Sequence, residues 1–189
     1  MTEARLIDGR AIATALRARI AAAAIDLRRR HGVAAGLAAV LIGDDPASDV
    51  YVRSKVRGCS ETGIASFEHR LPADAGAASV LELIARLNAN DRVDGILVQL
   101  PLPPAVDTRA VIATLDPAKD VDGFHPVNVG RLWAGEPGLV PCTPQGVMLL
   151  LRAVNAELAG AEAAVLGRSQ IVGRPVAALL LAADCTVTV

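Results

Sequence analysis

Tyr51 and Lys55 are the two residues of this chain whose types and spacing most directly suggest chemistry. They stand four positions apart in segment 48–55, whose sequence predicts the first turns of a helix. Residues at i and i+4 lie on one helix face with Cβ atoms ~5–6 Å apart, so a phenol ring and an ammonium group could contact the same small molecule. The chain has one tyrosine, and aromatic residues make up 2% of it, so core packing alone does not account for this pair.

A polar residue inside an apolar run is the second candidate. Gln99 interrupts the run 96–100, which predicts a buried strand that Pro101 stops. Open α/β sheets bind ligands at the carboxyl ends of their strands, so Gln99 is a candidate site residue. The alternative is a structural hydrogen bond to a neighbouring loop, because a buried amide needs partners.

Carboxylates crowd the predicted loop 116–126. Asp116, Asp120 and Asp122 show no spacing typical of metal ligands, so we predict no metal site there. The alternative is a solvated loop whose aspartates form turns. His125 precedes a proline, and we interpret it as a structural hydrogen-bonding residue rather than an acid or a base.

A glycine-containing loop, 167–175, lies between a predicted strand and a predicted helix. Backbone N–H groups and the helix dipole favour a phosphate at such a position. The loop is not Gly-x-Gly-x-x-Gly, because Ser169 replaces the second glycine, and its hydroxyl could bond a phosphate oxygen. The alternative is an ordinary turn between a strand and a helix.

These candidates must be positioned by elements that the hydrophobic pattern defines. We predict helices at about 8–30, 48–62, 77–89, 108–114, 143–155 and 172–183, and strands at about 37–42, 64–70, 96–100, 163–167 and 186–189. The remainder of 101–138 is predicted as loops, and Ser48 as the N-cap of the second helix. The alternation predicts an α/β fold with a mostly parallel sheet. Only two strands of the second sheet are present, so we expect the chain to be truncated within it.

Composition excludes several classes of partner. The formal net charge is −1, with 19 basic and 20 acidic residues, so we expect neither a nucleic-acid partner nor a membrane partner. The first ten residues lack the apolar core of a signal peptide, which predicts a cytoplasmic protein. Cys59, Cys142 and Cys185 have no disulfide or zinc spacing and are expected to be buried or inert thiols.

Five groups of residues occur in an order that resembles one enzyme family. They are Tyr51-Val52-Arg53-Ser54-Lys55 with Cys59, then Asn88-Ala89-Asn90 with segment 94–103, Asp120-Val121-Asp122-Gly123-Phe124, Pro141-Cys142-Thr143-Pro144, and Gly167-Arg168-Ser169 through Pro175. Together they closely resemble the bifunctional methylenetetrahydrofolate dehydrogenase/methenyltetrahydrofolate cyclohydrolase family over essentially all 189 residues.

The resemblance implies a two-domain α/β enzyme. Residues 1–140 would form a folate-binding catalytic domain, and 141–189 a linking helix and the start of a Rossmann-like NADP-binding domain. The implied activity oxidises 5,10-methylenetetrahydrofolate to 5,10-methenyltetrahydrofolate with NADP, and then hydrolyses it to 10-formyltetrahydrofolate. Tetrahydrofolate one-carbon derivatives are the implied ligands, and a homodimer is the implied assembly.

The resemblance also implies roles for residues of the first domain. Lys55 would be the acid and base of the hydrolytic step, and Gln99 would orient it. Tyr51 would pack its ring against the folate, while Asp122 would hold the pterin ring. Ser48 could also contact the folate, although its predicted N-cap role already explains it.

In the second domain, Gly167, Arg168 and Ser169 would contact the cofactor. The residue that distinguishes a ribose hydroxyl from a 2′-phosphate follows the second strand of such a domain, ~20 residues after the glycine loop, close to where this sequence stops. The expectation of NADP, with NAD as the less frequent case, therefore rests on the family tendency.

Two other interpretations remain open. Short-chain dehydrogenases also use Tyr-x-x-x-Lys, but their glycine loop precedes that pair, whereas here it follows by over a hundred residues. The other interpretation is an inactive fragment or a monofunctional folate-binding relative.

Overall fold

The computed structural model describes residues 6–154 and 157–189. Helices and strands alternate along the chain: α1 (Gly9–His31), β1 (Gly36–Ile42), α2 (Pro46–Thr62), β2 (Ala65–Leu71), α3 (Ala77–Asn88), β3 (Gly95–Val98), α4 (Thr108–Thr114), α5 (Pro126–Ala134), α6 (Cys142–Val154), β4 (Glu162–Ala164), α7 (Gly173–Leu181) and β5 (Thr186–Thr188). The strands pair in parallel, in a sheet of order β2-β1-β3 and a second sheet β4-β5. The predicted α/β fold with a parallel sheet is confirmed.

The chain divides into two compact units. The first is Leu16–Val121, and the second combines Asp122–Val189 with the described residues up to Ala15. Tyr51, Lys55 and Gln99 belong to the first unit, whereas Asp122 and the glycine loop belong to the second.

Strand β1 is buried on both faces, which explains its unbroken apolar sequence. On one face Val40 and its neighbours pack with Ile84 of α3. On the other face Ala39 and Leu41 pack with Val52 of α2. The central strand therefore fixes the position of α2, the helix that carries the Tyr51 and Lys55 pair.

The second unit has its own apolar core between α6, α7 and the β4-β5 sheet. Its fully buried members are Met148, Val176, Leu180 and Cys185. The Cys185 thiol donates to the carbonyl oxygen of Leu158 at 3.2 Å, so it is a packed thiol, as predicted.

The prediction that residues 115–138 form only loops is wrong, because α5 occupies part of them. His125 caps this helix: its Nδ1 accepts a hydrogen bond from the N–H of Val127 at 3.1 Å. Pro126 occupies the first turn, and Gly135 ends the helix at φ 71°. The structural role predicted for His125 is confirmed, and the proline and glycine were the signals that the periodicity argument overlooked.

The apolar spacing of α1 predicts a helix with a narrow buried face; the helix is present, but the prediction of a buried face is wrong. None of its residues is buried, and Leu16 and Ile20 are 38% and 37% exposed. The face consists largely of alanine, whose short side chain offers little area to bury. At α6, the helix begins at Cys142, one residue before the predicted N-cap, and its predicted end at Asn155 lies outside the described residues.

Within the described ranges, no helix is both long enough and apolar enough to span a membrane. The expectation for residues 1–5, that they contain no signal-peptide core, concerns residues outside those ranges.

Candidate active site and cofactor loop

Helix α2 begins at Pro46 because Asp45 caps it. The Asp45 carboxylate accepts hydrogen bonds from the N–H of Ser48 at 2.8 Å and from its hydroxyl at 2.7 Å. Both bonds hold the pKa of Asp45 below its usual value, and the bond from the Ser48 hydroxyl has the larger effect. The prediction of Ser48 as N-cap is therefore wrong: Asp45 can precede a proline at the first helical position, and its side chain reaches the N–H three residues on.

Ser48 itself lies in the first turn of α2 and is 3% exposed. Its hydroxyl proton is committed to Asp45, so its oxygen can act only as an acceptor toward any other group. Asp45 is thus a residue of the site that the sequence reasoning missed, although the Asp-Pro-x-Ser order is a recognisable capping signal.

Lys55 and Gln99 are in direct contact. The Lys55 ammonium donates to Gln99 Oε1 at 3.0 Å, and both side chains are half-buried. Tyr51 lies one turn before Lys55 and is 62% exposed, which leaves a ring face available to a ligand. Between them in sequence, Val52 is fully buried and anchors α2 on β1. The structure therefore brings together three of the predicted site residues.

Hydrogen bonds from its backbone N–H and from its side-chain amide hold Gln99 in place. It follows the carboxyl end of β3, and its N–H donates to the carbonyl oxygen of Val40 in β1 at 2.9 Å. Its side-chain Nε2 donates to the carbonyl oxygen of Leu100 at 2.7 Å. Because Nε2 is held by an acceptor, the amide oxygen must face Lys55. The Gln99 side chain therefore makes both a structural hydrogen bond to a loop and the contact with Lys55.

The segment that leads to Asp122 runs beside β3. The N–H of Ile96 donates to the carbonyl oxygen of Lys119 at 2.6 Å, and Asp120 is 1% exposed. The Lys119 ammonium donates to the carbonyl oxygens of Asn88 and Asn90, at 2.8 and 3.0 Å. A freely solvated loop is therefore excluded at Asp120, and Lys119 is a further positioning residue that the sequence did not indicate.

Asp122 lies in the second unit beside the start of α6. The Cys142 thiol donates to Asp122 Oδ1 at 3.9 Å. The next residue, Gly123, has φ 66°, and a Cβ there would lie 2.7 Å from the carbonyl oxygen of Leu139. Cys142 is exposed, so for this thiol only the expectation of an inert group stands as a prediction, whereas Cys59 is buried and burial raises the pKa of its thiol.

The glycine loop closes on itself through Ser169. Ser169 Oγ accepts hydrogen bonds from the N–H groups of Val172 at 3.1 Å and Gly173 at 3.3 Å. The carbonyl oxygen of Ser169 accepts from the N–H of Arg174 at 3.0 Å. The prediction that the first N–H groups of α7 point at a ligand is wrong, because the loop itself uses them.

The loop nevertheless has the close backbone packing of a dinucleotide loop. Gly167 has φ 127°, and a Cβ built on Gly173 would overlap the Gly167 carbonyl oxygen. Gly167, Arg168 and Ser169 border a cavity of about 770 Å³ that also contacts apolar residues of α6 and α7. A cavity of this size, bordered by the Arg168 guanidinium and the Ser169 hydroxyl, suits a dinucleotide.

Comparison with known proteins places the chain in a family. The model of the tetrahydrofolate dehydrogenase/cyclohydrolase catalytic domain matches residues 7–122, and the model of the NAD(P)-binding domain of the same enzymes matches residues 141–189. The α/β fold, the contact of Lys55 with Gln99 and the closed glycine loop therefore occur in a chain that matches one known group of proteins. The chain belongs to the tetrahydrofolate dehydrogenase/cyclohydrolase family.

Relatives share most of its sequence. The chain is 60% identical to "Bifunctional protein FolD 3" of Rhizorhabdus wittichii, over 100% of this chain and 62% of the relative. It is 62% identical to "Bifunctional protein FolD" of Acidiphilium cryptum, over 98% of this chain and 65% of the relative. The chain therefore spans less than two thirds of the length of these relatives.

Solved structures of similar proteins have the same fold as this chain. The bifunctional FolD enzyme of Campylobacter jejuni superimposes with a TM-score of 0.95 at 43% identity, over 97% of this chain and 65% of that chain. The Trypanosoma brucei methylenetetrahydrofolate dehydrogenase-cyclohydrolase, solved with NADP cofactor and inhibitor, superimposes with a TM-score of 0.95 at 40% identity, over 100% of this chain and 64% of that chain.

Proposed function

We propose that this chain carries the catalytic centre of a bifunctional one-carbon folate enzyme. The enzyme oxidises 5,10-methylenetetrahydrofolate to 5,10-methenyltetrahydrofolate with NADP, and hydrolyses the product to 10-formyltetrahydrofolate. The observation that carries the proposal is the 3.0 Å hydrogen bond from Lys55 to Gln99, at the carboxyl end of a central parallel strand. Family membership supports it independently.

Lys55 would handle the protons of the water step. Water adds to the methenyl carbon and loses one proton, which leaves a hydroxyl on that carbon. The hydroxyl then loses its proton and becomes the formyl oxygen, while N5 takes up a proton and its bond to the carbon breaks. An amine that accepts and returns a proton needs a neutral form, and an uncharged amide partner permits that form, whereas a carboxylate partner would favour the ammonium. Gln99 is such a partner, held in one orientation by Leu100.

Tyr51 would supply a ring face against the folate, which its exposure permits. Asp122 would bind donors of the pterin ring. Ser48 is the least exposed of the proposed folate contacts, and its committed proton restricts it to accepting a hydrogen bond from the substrate. These three assignments rest on the resemblance of their motifs.

Gly167, Arg168 and Ser169 would hold NADP, or less often NAD. Such a cofactor accepts the hydride that leaves the methylene carbon of the substrate. The chain's own contribution is to position the two rings, because the substrate nitrogen drives the hydride transfer. The close approach of Gly167 and Gly173 fits this use, because any side chain at position 173 would disrupt the loop.

We propose residues 1–140 as the folate-binding catalytic domain and 141–189 as part of the cofactor domain. Tetrahydrofolate one-carbon derivatives are the proposed ligands, and a homodimer in the cytoplasm is the proposed state. The net charge of −1 supports a partner list without nucleic acid or membrane. Sedimentation of the purified chain tests the assembly.

One spectrophotometric assay tests the proposed activity. The chain is mixed with 5,10-methylenetetrahydrofolate and NADP, then with NAD, while the methenyl product is followed as it forms and decays. Formation with NADP followed by decay is the expected result. Formation without decay would indicate a monofunctional dehydrogenase, and decay of added methenyl substrate without oxidation would indicate a cyclohydrolase alone. If the chain catalyses neither reaction, the proposal is contradicted.

A further inference from the structure

The loop 115–121 connects α4 to Asp122, the residue proposed to bind donors of the pterin ring. This loop belongs to no helix and to none of the five strands, so the hydrogen bonds that it makes decide where its backbone lies. Two side chains, Lys119 and Asn88, make four of these bonds. Neither side chain has a role in the chemistry proposed above.

The Lys119 ammonium binds the carboxyl end of α3. It donates to the carbonyl oxygens of Asn88 at 2.8 Å and Asn90 at 3.0 Å, and the side chain is half-buried. The last carbonyl groups of a helix have no partner within the helix, and the helix dipole favours a cation beside them. Lys119 therefore ties its own loop to the end of α3 at a point that suits a cation.

The Asn88 side chain holds the same loop at a second point. Its Oδ1 accepts a hydrogen bond from the N–H of Asp116 at 2.9 Å, and its Nδ2 donates to the carbonyl oxygen of Thr114 at 2.7 Å. The side chain is half-buried between the ends of α3 and α4. Asn88 and Lys119 thus attach both ends of segment 116–119 to the last turn of α3.

Beyond this attachment the backbone of the loop runs parallel to β3. The carbonyl oxygen of Lys119 accepts from the N–H of Ile96 at 2.6 Å, and the N–H of Val121 donates to the Ile96 carbonyl oxygen at 3.4 Å. The second bond is long, so the bridge to β3 holds Val121 only weakly. Asp122 is joined to Val121 by a peptide bond, and its backbone position therefore depends on how firmly the loop is attached.

We propose that Lys119 and Asn88 are positioning residues for folate binding, and this rests on the proposed contact of Asp122 with the pterin ring. They act through the backbone of the loop. With both in place, the Asp122 carboxylate starts from one position, so little conformational freedom is lost when the substrate binds. Without the ammonium, the carboxylate samples positions that do not meet the pterin, and substrate affinity falls.

The water step itself should continue in such a variant. Lys55 and Gln99 make their contact through α2 and the end of β3, and neither side chain bonds to Lys119 or Asn88. A loss of positioning at Asp122 is therefore expected in KM for the folate substrate rather than in kcat.

Steady-state hydrolysis of 5,10-methenyltetrahydrofolate tests the assignment. Lys119→Met removes the ammonium and keeps most of the apolar stem, and it is expected to raise KM about tenfold, as for one lost hydrogen bond to a charged group, with kcat within about twofold. Lys119→Arg can donate to the same two carbonyl oxygens and should keep KM within about twofold. The control Arg109→Met, which removes an exposed cation from α4, should leave both constants unchanged.

A second comparison separates positioning from stability, because the loss of two hydrogen bonds lowers the thermal midpoint in either case. Asp122→Asn is expected to raise KM by itself. Adding Lys119→Met to it should then raise KM less than about twofold further, because the carboxylate that Lys119 positions is already absent. If Lys119→Met does not fold, Asn88→Ala takes its place with the same expectation.

The outcomes distinguish this proposal from the proposed function. Losses that multiply in the double variant, or an unchanged KM for Lys119→Met while Asp122→Asn raises it, would overturn the positioning role alone. An unchanged KM for Asp122→Asn, or an unmodified chain without hydrolysis, would contradict the proposed folate chemistry and the positioning role together.

Discussion

Replacing Gln99 by methionine tests how Lys55 is held. Methionine has nearly the shape of glutamine, so it fills the half-buried site while removing two hydrogen bonds, one from Lys55 at 3.0 Å and one to the Leu100 carbonyl oxygen at 2.7 Å. The Val40 carbonyl keeps its bond, because the backbone N–H of residue 99 is unchanged. The perturbation is therefore confined to the amide.

The magnitude follows from those two bonds. The neutral bond to Leu100 contributes ~0.5–1.5 kcal/mol to stability and the bond from the charged Lys55 ammonium ~1.5–3 kcal/mol, so we expect Gln99→Met to cost about 2–4.5 kcal/mol of unfolding free energy. The bond to the charged ammonium is of the stronger class, about 1.5–3 kcal/mol, which corresponds to a roughly ten- to hundred-fold slower hydrolytic step.

The assay measures decay of methenyltetrahydrofolate for Gln99→Met, Lys55→Met and the double variant. If Gln99 acts through Lys55, its replacement has no further effect once Lys55 is absent, so the losses are strongly non-additive. Losses that multiply in the double variant would refute the reasoning, because Gln99 would then act on the substrate independently.

Two further predictions concern the folds that carry the sites. The ion pair of Asp49 with an arginine of β2 lowers the pKa of Asp49, so its ionised form stabilises the fold at neutral pH and this contribution is lost as the pH falls through the folded-state pKa. Asp49→Asn should lower the thermal midpoint at pH 7, and this effect should shrink as the pH falls toward and below the folded-state pKa of Asp49. The exposed Asp74→Asn should not lower the midpoint at pH 7; equal midpoints for the two variants at pH 7 would contradict this. Gly173→Ala should displace the loop from the Gly167 carbonyl and weaken NADP binding, whereas Gly146→Ala, where a Cβ meets nothing within 4 Å, should not; calorimetry compares them, and equal affinities would contradict the loop packing.

The fold was predictable where burial and periodicity agree. The run 37–42 reads as a strand covered on both faces, and the structure buries it between α2 and α3. The Tyr51 and Lys55 pair was also predictable, since a helical spacing of four fixes a shared face. The contact of Lys55 with Gln99, 44 residues apart, depends on which strands are neighbours, and helix spacing alone does not define that.

The N-cap of α2 and the conformation of the glycine loop could not be predicted, because several side chains compete for the same N–H groups. Ser48 and Asp45 are both good N-caps, and the choice is decided by which carboxylate or hydroxyl reaches a free N–H. At the glycine loop, Ser169 satisfies the same N–H groups that a phosphate would use. Sequence identifies such groups but does not show which acceptor is closer, so it suggested a backbone phosphate site where the structure has a self-capped loop.

The most direct test of the central claim is to divide the two activities with one residue. Lys55→Met should abolish decay of methenyltetrahydrofolate while NADP-dependent formation of the methenyl product is retained to a greater extent, so that this product accumulates. Arg57→Met, which removes an exposed cation from the same helix, serves as the control and should show both steps. Equal loss of both steps in a folded Lys55→Met chain would contradict the assignment of Lys55 to the water step.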